Sequence, residues 1–86
     1  MIFKHSTRCP VSAVVTNEVL RFAGTHPDWT VYVLKVIERR DLSDLVAERL
    51  GVRHASPQAF VIRHGRCVWH ASHYEVTAQS LSRHLA

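Results

Sequence analysis

The chain has 86 residues, which is room for one domain and one core. It is 47% hydrophobic and 21% charged, ordinary values for a folded protein, with no apolar run long enough to cross a membrane. The net charge of +4 is spread from Lys4 to Arg83, and only Arg39 and Arg40 are adjacent. That favours anionic partners in general but lacks the dense basic stripe of a nucleic-acid binder. Met1–His5 has no basic stretch followed by an apolar region, so no signal peptide is expected and the default location is the cytosol. Two cysteines, Cys9 and Cys67, are too few for a disulfide-stapled secreted mini-protein. Each is therefore a small packed hydrophobe or a reactive thiol.

Met1–His5 reads as a short strand and Ser6-Thr7-Arg8 as a polar break. Pro10 suits the first turn of a helix, where its missing N–H is not needed. Val11, Val14, Val15, Val19 and Phe22 form one helical stripe, and Gly24 is the expected stop. Cys9 thus stands between a strand and a first helical turn. Residues 30–37 (TVYVLKVI) are nearly continuous apolar and predict a central strand buried on both faces. Asp41-Leu42-Ser43-Asp44 resembles a helix start. Leu42, Leu45, Val46 and Leu50 would be its buried stripe, and Gly51 its end. Residues 58–63 and 66–72 predict a hairpin turning at His64-Gly65. Thr77 is placed to cap a last helix, with Val76 and Leu81 at the spacing of a hydrophobic staple. The order βαβαββα predicts an α/β fold: a four-stranded mixed sheet with three helices, the minimal thioredoxin/glutaredoxin-like layout, as a single domain over 1–86.

Three blocks then carry a resemblance: residues 3–12 (FKHSTRCPVS), 56–58 (SPQ) and 69–73 (WHASH). In this order and spacing they resemble the YtxJ family of monothiol bacilliredoxins, thioredoxin-like proteins of bacteria. The resemblance implies removal of bacillithiol from mixed disulfides on client proteins. Carried over by position, Cys9 is the nucleophile, Pro57 the cis-proline facing it, and Ser12 stands where a dithiol relative has its resolving cysteine. Family members usually begin with a further helix and strand, so one sheet edge is expected to be bare here and available for a homodimer.

The residues support that chemistry independently. Thiolate, not thiol, attacks a disulfide. A first helical turn offers it unpaired N–H groups and the positive end of the dipole, with Lys4, His5 and Arg8 close in sequence. Ser12, one turn on from Cys9 and Pro10, has a hydroxyl that can donate to the sulfur but cannot form a disulfide. A second small thiol must then release whatever Cys9 captures. Lys4, Ser56, Pro57, Gln58, His70 and His73 are the candidate substrate-binding residues. Bacillithiol, the expected cosubstrate, carries a malate group whose carboxylates suit cations such as Arg53, with His54 beside it before Pro57.

No bound cofactor or metal is expected. Cys67, His70 and His73 tempt a zinc reading, but strand alternation would turn His70 away from the other two. Cys67 reads as packing, and resolution of Cys9 by it would need Cα atoms within about 7 Å. The competing functions are a redox-sensing binding module without turnover and, less well supported, a basic nucleic-acid binder.

Overall fold

The computed structural model describes residues 1–85. Its elements are β1 (Ile2–His5), α1 (Pro10–Thr25), β2 (Tyr32–Lys35), α2 (Arg40–Leu50), β3 (Gln58–Arg63), β4 (Arg66–Ser72), a 3₁₀ turn (His73–Glu75) and α3 (Ala78–Leu85). The sheet runs β2-β1-β3-β4, with β1 and β2 parallel and the other neighbours antiparallel. This is the expected four-stranded mixed sheet with three helices.

Alternation along β1 and β3 divides the molecule into two layers. Phe3, Ala59 and Val61 join Val15, Val19 and Phe22 of α1, and Val76 and Leu81 at the start of α3, in the main core. Lys4, Gln58 and Phe60 face the other way, toward α2. The hairpin bounds agree with the sequence reading, and its turn uses positive φ at both His64 (53°) and Gly65 (76°), the twist that a two-residue turn needs. Gly51 ends α2 in the left-handed region at φ 66°, with the Val52 N–H closing back on the Ala47 carbonyl at 3.1 Å. At α3, Thr77 Oγ1 accepts from the Ser80 N–H and Ser80 Oγ accepts from the Thr77 N–H, both at 3.0 Å. Val76 and Leu81 are both buried, as the staple requires.

The fold corrects four expectations. Residues 30–37 do not make a central strand: β2 is the sheet edge, with Tyr32 65% and Val33 58% exposed. The central strands are β1 and β3. The stripe on α2 is only half covered: Leu42, Val46 and Leu50 are half-buried, Leu45 is exposed, and Ser43 is its buried residue. On α1, Val14 is exposed, and Ser12 takes the buried place in the first turn. Gly24 does not stop α1, which runs through Thr25, where the hydroxyl donates to the Phe22 carbonyl at 3.0 Å.

Candidate active site

Cys9 is the N-cap of α1, in extended conformation at φ −104°, ψ 118°. An N-cap residue usually supplies an oxygen to the free amides of the first turn. Here the cap is a half-buried sulfur that makes no side-chain hydrogen bond, followed by Pro10, which has no N–H to offer. The main chain fixes the cap from both sides: the Cys9 N–H donates to the Ser6 carbonyl at 3.3 Å, and the Cys9 carbonyl accepts from the Ser12 N–H at 3.1 Å. The Ala13 N–H also closes on that carbonyl at 3.4 Å, so the thiol sits at the positive end of the helix dipole with most first-turn amides already spent.

Because Lys4 pairs with Gln58 across the sheet, the chain leaving β1 toward Cys9 emerges beside the chain entering β3 through Pro57. The Ser56–Pro57 bond is cis, as the resemblance implied. The Pro57 carbonyl accepts from the His73 N–H at 2.9 Å, which brings the exposed His73 to this end of the sheet. Cys9, Pro57, Ser56 and His73 thus share one end of the molecule. Ser56 Oγ is buried with no hydrogen-bond partner.

The structure takes other candidates out of direct contact with a substrate. Lys4 is fully buried and points to the α2 layer, so it adds no charge on the Cys9 side. Its Nζ donates to the Ser43 carbonyl and to His54 Nδ1, each at 3.0 Å. Gln58 is also buried: its Nε2 donates to the Arg53 carbonyl at 3.0 Å, and its Oε1 accepts from the Ala55 N–H at 3.2 Å. Both residues hold the segment that leads into Pro57. His70 stands opposite Phe60 on the α2 layer, not on the layer that α1 packs against. Ser12 Oγ does not reach the sulfur. It is buried, accepts from the Ser6 N–H at 3.0 Å, and lies 2.7 Å from His5 Nδ1, which is 3.2 Å from Thr16 Oγ1. Sequence proximity offers His5 only as a positive charge near Cys9; the structure makes it the ring that holds Ser12.

Cys67 occupies a different setting. Its thiol donates to the Trp69 carbonyl at 3.4 Å, and burial pushes its pKa up. It pairs with Ile62, four residues along β3 from Gln58, or about 13 Å at strand spacing. Cys9 follows the end of β1 that pairs with Gln58, so Cys67 lies along the hairpin from it by more than the roughly 7 Å that a disulfide spans. A bulge between Val61 and Ile62 also breaks the alternation expected along β4, so Cys67 and His70 fall on the same layer, opposite Ile62 and Phe60. The alternation argument against a metal set is therefore wrong for this pair. His73, the third member, leaves the strand at the 3₁₀ turn.

With this geometry in hand, comparison with known proteins is decisive. The family model of the monothiol bacilliredoxin BrxC matches residues 1–81. The chain belongs to that family. A solved structure described as a candidate oxidoreductase with a thioredoxin fold is also similar, with 38% sequence identity and a TM-score of 0.88 over 95% of this chain and 72% of that one. The bacilliredoxin fold is thus thioredoxin-like, and this bacilliredoxin is a thiol-disulfide oxidoreductase. Among the described residues, no helix is long and apolar enough to cross a membrane.

Proposed function

We propose that this bacilliredoxin removes bacillithiol from mixed disulfides on client proteins in the cytoplasm, with Cys9 as the nucleophile. The supporting observation is the Cys9 thiol at the N-cap of α1, beside cis-Pro57 and with no second cysteine in reach. In the first step the Cys9 thiolate attacks the bacillithiol sulfur of the client disulfide. A Cys9–bacillithiol disulfide forms, the client S–S bond breaks, and the client leaves as a thiolate that takes a proton from solvent. In the second step a free bacillithiol thiolate attacks that adduct. Bacillithiol disulfide leaves and the Cys9 thiolate returns, so one free bacillithiol thiol is oxidised as the client sulfur is reduced, and no metal or bound cofactor is required.

The protein's own groups divide the work. The positive end of the α1 dipole stabilises the sulfur anion both as attacker and as leaving group. The main chain at Ser56, before cis-Pro57, lets an extended client segment lie along this end of the sheet as a strand would. Ser12, whose hydroxyl cannot form a disulfide, leaves the adduct without a resolving group one turn from Cys9.

Intact mass and peptide mapping after incubation with bacillithiol disulfide test this reading. One adduct on Cys9, released by free bacillithiol, is expected. An untouched Cys9, or a Cys9–Cys67 disulfide, would reject it. A parallel glutathione disulfide sample shows whether another small thiol serves as well.

A further inference from the structure

A lysine with no exposed surface is unusual in a domain this small, since burying an ammonium is costly unless it is well partnered. Lys4 lies on central β1 and joins three parts of the chain. Nζ donates to the Ser43 carbonyl on α2 and to Nδ1 of His54, which lies three residues before Pro57, and it sits 5.5 Å from the Phe60 ring centre on β3. Ser43 Oγ is also 3.2 Å from His54 Nδ1. An ammonium has no lone pair, so its hydrogen bond requires Nδ1 to be the acceptor. His54 is therefore neutral, with its proton on Nε2. A protonated His54 would set an N–H against the ammonium at 3.0 Å, and the bond would be lost.

The groups around His54 agree. Burial, then the positive charges of Lys4 and of Arg40 on α2, hold its pKa below the ordinary histidine range, and Asp44 on α2 opposes them. Burial likewise lowers the Lys4 pKa, with Asp44 again opposing. Gln58 ties down the same segment through Arg53 and Ala55, and the His73 amide holds Pro57 from the far side. The loop is anchored at three points, and only the Lys4–His54 point runs through an imidazole that protonation can uncouple.

We propose that Lys4 is a positioning residue for exchange: through neutral His54 it holds the segment entering cis-Pro57 in place for the incoming mixed disulfide, and protonation of His54 releases it in mild acid. This rests on the bacillithiol-exchange reading above. It predicts that small reagents reach Cys9 equally well in both states, whereas an extended substrate does not. The sign follows from linkage: a histidine with a lowered folded pKa supports the fold above its unfolded value near 6.5 and loses that support as pH falls.

The experiment uses the full chain carrying Cys67→Ser, so that only Cys9 reacts. Single-turnover release of peptide thiol from a bacillithiolated peptide is measured between about pH 5.5 and 8. At each pH it is divided by the rate of Cys9 alkylation by iodoacetamide, which removes the effect of thiolate fraction. The ratio is expected to fall at least about threefold toward pH 5.5 in the parent. His54→Asn, which can accept from Lys4 but does not titrate, keeps it high and flat. Lys4→Met lowers it by about tenfold at pH 7.5 while alkylation stays within about twofold and the melting temperature within about 5 °C. A His54→Asn profile that keeps the acid fall overturns the proposal, as does a Lys4→Met ratio equal to the parent's. If Lys4→Met does not fold, His54→Asn decides alone. A parent whose Cys9 alkylates but releases no peptide thiol at any pH overturns the exchange reading, and this proposal with it.

Discussion

The two cysteines carry the same functional group in opposite surroundings. Cys9 caps a sixteen-residue helix, half-buried, with its sulfur free of side-chain hydrogen bonds and at the positive end of the helix dipole. Cys67 lies in β4, with its S–H committed to the Trp69 carbonyl and its pKa pushed up by burial. The difference in reactivity that the proposal expects is therefore one of place and not of functional group. A helix terminus supplies what a thiolate needs, and a strand whose amides are spent on the ladder does not.

The sharpest way to break the comparison is to exchange each sulfur for oxygen. Cys9→Ser is expected to abolish release of bacillithiol from a protein mixed disulfide. Cys67→Ser is expected to retain release within about twofold, because nothing in the cycle passes through it. Loss of activity in Cys67→Ser, with the fold intact by circular dichroism, would mean that the two sulfurs meet. A second test leaves both in place. Under limiting iodoacetamide at neutral pH, peptide mapping should find Cys9 labelled roughly tenfold faster than Cys67. Equal labelling would show that the strand environment does not protect Cys67.

The same comparison shows what the sequence could and could not reveal. Cys9 was legible because its evidence is local: a polar break, a proline at the first helical position and a serine one turn on. The β3–β4 hairpin and the cap of α3 were legible for the same reason, since Thr77, Ser80, Val76 and Leu81 interact within one helical turn. Reading β2 as central failed because an apolar run records what a strand can bury and not whether a neighbour is present. Lys4 and Gln58 were placed at the substrate for being polar and near the motif, yet their partners are distant or turned inward. Lys4 meets His54 fifty residues away, on the layer opposite α1. The available signal was alternation along β1, which puts Lys4 on the reverse face from Phe3 and His5.

Ser12 offers the finest test, because there the sequence and the structure predict different outcomes. A serine one turn past the nucleophile suggests a hydroxyl donating to the thiolate, and its removal would then slow Cys9 chemistry above all. In the structure the hydroxyl is buried between the Ser6 amide and His5 Nδ1. Ser12→Ala leaves the Ser6 N–H, itself in a buried residue, without its acceptor, and such an orphaned donor costs about 1–3 kcal/mol. The expected outcome is a lower urea midpoint at unchanged m-value, with Cys9 alkylation altered by less than about threefold. A variant of parental stability but much slower alkylation would restore the direct hydroxyl–sulfur contact and mean that His5 does not hold Ser12 during the reaction. The stability loss alone would make the Ser12 hydroxyl a brace between the Ser6 amide and His5 that stands apart from the Cys9 chemistry.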